Sequence, residues 1–487
     1  MTAPIVDIHC HTFNADDLPV QGFIQHVALH DADFSPAVAR LLDVIVQAGA
    51  PGYAVEKARL DALLGTGSFD DALEGVVAVV PPTVDPLDQL EREVDAELLD
   101  LQLRNPELVL RASRDIALRD AHDSGTEEGL LDLGSALRRG VKWARMFTKS
   151  RLDLTGVLTR SYPEVDLFCP IIVDLGTSLG VKAPTTIRQQ VILQEKISRL
   201  SMLGRLPWST TARIHPFVGF DPRHEVRARW AHDIETPLDV AKDAVQRFGF
   251  VGIKVYPPMG FRPINNTSVG DVTAAEAKEL DTVLAELYSW CETEHVPITT
   301  HCNDSQYASP SYKDAGLAAP RGWAEVLERY GGLHLNLGHF GGANSRETST
   351  AWIYQIAVAA GRFGFLFADV GNHRIYDQSL SKLYIDRLHE IFADDATKVM
   401  RGRLMYGTDW FMLAGNPDWE SFMTTYRRLY HARFGASATA DFMGGNALRF
   451  LGFGDRDNRN NRRLWQRYQT YAPQRTPDWL GKPAEGA

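Results

Sequence analysis

Eight short apolar runs recur along the chain, each bounded by turn residues and each leading into polar or catalytic-type side chains. They are Ile5–Ile8, Cys169–Val173, Ile214–Val218, Phe250–Val255, Pro297–Thr300, Leu333–Leu337, Phe363–Asp369 and Leu404–Tyr406. Near-continuous apolar runs, as opposed to alternating ones, are what strands of a parallel sheet buried on both faces require. Amphipathic stretches of helical period lie between most of them, Ala274–His295 and Trp323–Tyr330 among them. Eight strands separated by helices in one long chain predict a (β/α)8 barrel of the TIM type, an α/β fold.

The spacing is regular in the second half and breaks down between the first two runs. The barrel is therefore assigned to residues 1–14 and 166–454. Residues 15–165 are read as a large, mainly helical insertion or lid after the first strand, carrying the helical stretches Leu87–Leu103 and Leu130–Leu158. Loops after barrel strands sit over the active-site rim, which gives such an insertion its expected place. Val76–Val80, followed by Pro81 and Pro82, stands as the alternative second strand. Residues 455–487, polar and rich in Arg, Asn and Pro, read as a C-terminal arm.

Composition narrows the class of function. With 44% apolar and 23% charged residues the chain is an ordinary globular protein, and disordered and fibrous classes are set aside. The net charge of -11 and the lack of a basic stripe argue against a nucleic-acid partner. The nearest thing to a stripe, Arg456–Arg467, is interleaved with Asp and Asn and reads as a solvated tail or subunit contact. Cys10, Cys169, Cys291 and Cys302 form no CxxC and are expected as small buried thiols in a reducing compartment. The N-terminus lacks a basic n-region, and no window reaches ~18 uninterrupted apolar residues. The expectation is a cytoplasmic homo-oligomer, dimeric or larger, acting on a small molecule without membrane or nucleic acid.

The chemistry begins at Val6-Asp7-Ile8-His9-Cys10-His11. Side chains two apart on a strand point the same way, so His9 and His11 project together at the C-terminal end of the first strand. An HxH pair alone is a weak signal for a metal. It gains force because His301 and His339 each follow a later apolar run and Asp409 ends the last one. In a barrel all strand C-termini converge on one rim, so these residues meet in space. His9, His11, His301 and Asp409 make a plausible nitrogen/oxygen shell for a divalent metal, which leaves His339 for proton transfer. Each has a plainer reading too: His301 as a strand end beside Cys302, His339 and Asp409 as helix caps. Lys254, Arg262 and His373 are candidates for substrate binding, whereas His215 and His334 begin their strands and are expected to be structural. Met259, Phe261, Trp410, Phe411 and Met412 fit either core or an apolar substrate cleft.

The ordered motifs DIHCH, GIKVYPPMGF, THC, LGHFGG, YGTDW and GGNALRFLG resemble the amidohydrolase-related branch of the amidohydrolase superfamily. That branch includes the aminocarboxymuconate-semialdehyde decarboxylase group. The resemblance covers the first dozen residues and about 213–452. It implies that His9, His11, His301 and Asp409 ligate a metal, most often Zn2+. One ion is favoured, and two fit if Lys254 is carboxylated. It further implies that His339 orients or deprotonates a water and that Asp409 accepts a proton. Zinc lowers the pKa of its water to about 7, which supplies a nucleophile at neutral pH. The expected function is a metal-dependent hydrolase that uses metal-activated water to cleave an amide (C–N), lactone or ester bond of a small organic substrate. The alternative is a non-oxidative decarboxylase or hydratase of an unsaturated or aromatic carboxylic acid on the same site. Some decarboxylases of the branch carry glutamate where this chain has His9, which favours hydrolysis. A metal-binding barrel without activity would be expected to lack His339 or Asp409, and both are present.

Overall fold

The computed structural model describes residues 3–19, 50–65, 145–180, 182–270, 272–303, 315–342, 348–373, 375, 378–416 and 418–483. The strands are β1 (Val6–Cys10), β2 (Leu167–Pro170), β3 (Arg213–Ile214), β4 (Phe217–Gly219), β5 (Gly252–Val255), β6 (Ile298–His301), β7 (Leu335–Gly338), β8 (Leu366–Asp369) and β9 (Leu404–Met405). All pairings between them are parallel and follow chain order, in one run β1-β2-β3 and a second from β4 to β9. β3 and β4 are two halves of one barrel strand, divided at His215 and Pro216, where proline has no N–H to give to the ladder. The two runs are joined by an Ile171–Phe217 bridge and by the Ile172 N–H donating to the Phe217 carbonyl at 3.1 Å. The ring closes on its other side. Ile8 N–H donates to Tyr406 O at 3.3 Å, Asp409 N–H to His9 O at 2.6 Å, and Cys10 bridges Trp410. All eight predicted strands are thus present, and the fold is the (β/α)8 barrel.

The helices are α1 (Tyr53–Leu64), α2 (Arg151–Ser161), α3 (Ile187–Leu203), α4 (Pro222–Ala231), α5 (Pro237–Arg247), α6 (Ala274–Glu294), α7 (Pro320–Arg329), α8 (Thr348–Arg362), α9 (Gln378–Ala393), α10 (Phe422–Ala440), α11 (Asn446–Leu451) and α12 (Arg459–Tyr471). Their starts are written in the sequence. Asp221 caps α4 ahead of Pro222, and the Thr273 hydroxyl accepts from the Glu276 N–H at the head of α6. No helix among the described residues is long and apolar enough to cross a membrane.

β2 pairs directly with β1, so the run at Leu167–Pro170 occupies the second strand's place; the alternative Val76–Val80, the stretch Leu87–Leu103 and residues 130–144 lie outside the described residues. Two expectations change. The stretch read as one helical run to Leu158 breaks before α2, because the Ser150 side chain caps a new helix by accepting from the Asp153 N–H. The segment taken as an arm contains α12, whose Leu464 and Tyr468 are buried in the same apolar cluster as Val6, Phe217 and Phe450. Its arginines are also engaged, Arg467 with Glu195 and Arg463 with Glu294. Their apolar neighbours and buried acids explain why this run is no solvated tail. Around it, His215 bonds Ser198 and Tyr468, and His334 bonds the Phe450 carbonyl, so both serve structure. All four cysteines are buried and free.

Two ionic features fasten the other rim. Fully buried Arg151 on α2 meets Asp17 after β1 at 2.5 Å, Glu56 on α1 at 2.6 Å and Thr185 ahead of α3 at 3.2 Å. Removing the guanidinium leaves two buried carboxylates without a counter-charge, a loss of about 3–5 kcal/mol. Arg151→Ala is expected to lower unfolding free energy by that amount in urea titrations. Across the rim, His224 at the start of α4 bonds Asp174 at 2.9 Å. Burial alone would lower its pKa, but Asp174 holds it up at about 9 against an ordinary 6.5. A raised folded-state pKa gives stability that is present in full below pH 6.5 and lost as pH climbs through 9. Asp174→Asn is expected to flatten that alkaline fall in a melting-temperature profile from pH 6 to pH 10.

Candidate active site

Strand alternation places His9, Lys254, His301 and Asp369 toward one another at the C-terminal ends of β1, β5, β6 and β8, and the segment after β9 brings Asp409 to them. His9 is fully buried, and its ring fills a slot bounded by three glycines. A Cβ on Gly407 would lie 2.8 Å from the His9 Cβ, one on Gly338 3.2 Å from Cε1, and one on Gly371 3.2 Å from Nδ1. A side chain at Gly407 would force His9 to shift, and one at Gly338 or Gly371 would crowd its ring.

The outer nitrogens of both histidines are tied back. His9 Nδ1 lies 3.0 Å from each Asp369 oxygen, and His11 Nδ1 lies 3.0 Å from the Ile171 carbonyl. A carbonyl can only accept, so His11 carries its proton on Nδ1. Burial pushes the His9 imidazole down to about 4, so at neutral pH it is an uncharged Nδ1–H donor to Asp369. Burial opposes ionisation of Asp369, yet the donors from His9 and Asn336 hold its carboxyl far below the ordinary range. Its Oδ1 also accepts the backbone N–H groups of His339 and Gly371.

The inner nitrogens therefore present lone pairs to Asp409. His11 Nε2 is 3.0 Å and His9 Nε2 3.5 Å from its Oδ1, and ligand atoms of the three residues all lie within 4.8 Å of one another. Burial raises the Asp409 pKa, but the surrounding histidines, His11 foremost, outweigh it and bring the carboxyl to about 2. Two imidazole nitrogens and an ionised carboxylate facing a common point, with both imidazoles already anchored through Nδ1, fit a divalent cation.

The other predicted residues divide. His339 adjoins His9 and His301, with ring centroids 4.9 and 4.5 Å away, and its Nδ1 donates to the Gly371 carbonyl at 2.9 Å. Its Nε2 is left as the basic nitrogen. His301 stands one ring further from the His9–His11–Asp409 group, between His339 and Tyr256. Burial, with His339 and Lys254 beside it, pushes its pKa well below the ordinary value. Lys254 Nζ is 3.5 Å from His9 Nε2, and burial lowers its pKa to about 8 against the pull of Asp369 and Asp409. Arg262 is half-buried on the loop after β5, its N–H donating to Asn266. His373 is not a rim group open to substrate. It is buried, and its two nitrogens engage the Tyr426 hydroxyl and the His339 carbonyl. Met259, Phe261, Trp410 and Phe411 are core, the last in a cluster with Phe13 and Phe147 that backs the His11 ring. His339, Phe340 and Asp409 all have positive φ, which costs roughly 1–3 kcal/mol each outside glycine. Such strain concentrates at functional sites.

Residues 222–453 match the amidohydrolase family model. That stretch carries Lys254, His301, His339, Asp369 and Asp409, and over these residues it bears out the resemblance to the amidohydrolase-related superfamily read from the motifs. Its class is that of a metal-dependent amidohydrolase-type enzyme. No curated protein matches the sequence. Among solved structures, it is similar to a zinc-bound amidohydrolase from Burkholderia multivorans (13% identity, covering 64% of this chain and 91% of that one, TM-score 0.40). It is also similar to a 5-carboxyvanillate decarboxylase from Sphingomonas paucimobilis (12%, 61% and 82%, 0.35). A third is a uronate isomerase from Bacillus halodurans (13%, 93% and 94%, 0.35).

Asp369 was missed in the sequence, although it ends a strand as His301 does. Partners of this kind typically hold about 10–100-fold in metal affinity. Asp369→Asn is expected to weaken binding of a divalent metal ion by that factor, read by competition with a chromogenic chelator.

Proposed function

We propose that the protein is a hydrolase that cleaves an amide (C–N), lactone or ester bond of a small organic molecule at a single zinc ion. The observation that carries this reading is the convergence of His9 Nε2, His11 Nε2 and the Asp409 carboxylate, with both imidazoles anchored through Nδ1. These three would hold the ion, with His301 as the further nitrogen ligand that the family resemblance implies. When bound, a divalent ion supplies Lewis acidity toward a water and a carbonyl oxygen.

The remaining work falls to side chains. His339, with its proton on Nδ1, offers Nε2 to take a proton from the attacking water and deliver it to the departing nitrogen or oxygen. Asp409, ionised well below neutral pH, is a second acceptor for that proton. Buried Lys254 places a positive charge beside His9, suited to a developing oxyanion or to a substrate carboxylate. That same lysine favours the second reading, a decarboxylase or hydratase of an unsaturated or aromatic acid, since decarboxylation needs a cation to seat the carboxylate.

Metal content and product identity test the proposal. Chelation is expected to abolish turnover and added zinc to restore it, while His11→Ala lowers bound zinc below stoichiometry. His339→Asn is expected to keep the metal and lose about 10²–10⁴-fold in kcat. Panels of amides, lactones and aromatic acids are expected to yield acid release. Carbon dioxide as the product would overturn hydrolysis in favour of the second reading. Full-length protein that binds no zinc would overturn both.

A further inference from the structure

Four consecutive residues after β7, His339 to Gly342, have φ values of 64°, 43°, 70° and 68°. Glycine accepts such angles, but histidine and phenylalanine do not adopt them readily, so something must hold the turn. Part of the restraint is backbone: Gly341 N–H donates to Cys302 O at 3.0 Å and Gly342 N–H to His339 O at 2.8 Å. The rest comes from His373, whose Nε2 lies 2.8 Å from that same His339 carbonyl.

The geometry fixes how His373 does this. A carbonyl only accepts, so Nε2 carries the ring proton and Nδ1 presents its lone pair. Tyr426, on α10, lies with its hydroxyl 3.0 Å from Nδ1 and so donates to it. The Tyr384 ring packs edge-on against the imidazole at 5.0 Å, and Phe422 and Phe442 enclose Tyr426 at 5.1 and 5.5 Å. His373 and Tyr426 are buried, so this chain of donors is sheltered from water. Two residues before His373, the Gly371 carbonyl receives the His339 Nδ1 proton. One loop thus grips His339 twice, at its ring and at its backbone.

We propose that His373, oriented by Tyr426, is a positioning residue that holds His339 in its left-handed conformation with Nε2 presented to the reacting atoms. It touches neither substrate nor the three converging metal-binding atoms, and it links the loops after β7 and β8 to α10. The inference rests on the reading of His339 as the proton carrier, but its conformational half can be tested without turnover.

The test compares His373→Phe, which keeps a ring and removes both nitrogens, with His373→Gln, whose amide restores a donor at comparable reach. Tyr426→Phe removes only the orienting hydroxyl. Hydrogen exchange followed by mass spectrometry on peptides spanning 335–342 reads the turn directly. His373→Phe is expected to speed exchange there by about tenfold or more while zinc stoichiometry holds. Its kcat is expected to fall about 10–100-fold with KM changed less than about threefold, as for loss of a group that only orients a catalytic one. His373→Gln is expected to recover most of both effects, and Tyr426→Phe to lie between. Wild-type exchange in 335–342 for His373→Phe would overturn the proposal whatever the activity. So would equal losses of kcat and zinc in the Phe and Gln variants, which mark a merely structural residue. His339→Asn, assayed alongside, separates the two levels: unchanged kcat in that variant sinks the role of His339, while the exchange data still decide whether His373 holds the turn.

Discussion

The contact on which everything else depends is the seam between the first and last strands. Hydrogen bonds from Ile8 to Tyr406 and from Asp409 to His9 close the ring, and the second of these belongs to two of the converging residues. A bond that completes the barrel also sets the distance between His9 and Asp409. Backbone pairing in a closed barrel leaves little freedom at each strand end, so the separation is determined to within the play of one ladder. Stability and site geometry are the same interaction at this point.

Charge is managed by anchoring the far side of each group. Asp369 and the Ile171 carbonyl take the outer protons of His9 and His11, and Gly371 takes that of His339. Held at Nδ1 by these partners, the three imidazoles turn their Nε2 atoms inward and are already ordered for a cation. Lys254 sits at the edge of this group with a pKa lowered to about 8, because burial works against its charge more strongly than Asp369 and Asp409 support it. The site thus mixes one ionised acid at its centre, a second behind it, and a lysine whose charge is only lightly held.

Much of this was legible in the sequence, for physical reasons that can be named. Parallel strands are buried on both faces, so their runs stand out, and a strand-borne HxH cannot point two ways. His301, His339 and Asp409 could be placed together because barrel topology sends every strand end to one rim. Asp369 carried the same signal but was passed over, because its role lies in a hydrogen bond to His9 and leaves no spacing to read. His373 was misjudged for a related cause: its position after β8 predicts the rim, while burial against Tyr426 and Tyr384 depends on helices far along the chain. The polar segment after residue 455 looked solvated because its apolar members, Leu464 and Tyr468, are too sparse to show before α12 is formed.

The glycine-walled slot for His9 has a consequence for how the molecule is made. The strand that carries His9 and His11 is synthesised well before Gly338, Gly371 and Gly407, which leave room for the His9 ring. His11 and Asp409 are 398 residues apart, an interval of roughly 20–80 s at ~5–20 residues per second. Through that interval β1 has at most one of its two barrel neighbours, and an apolar edge is open to wrong pairing. β1 therefore completes its pairing only once the chain as far as Asp409 has been made, and His9, His11 and Asp409 converge at that same step.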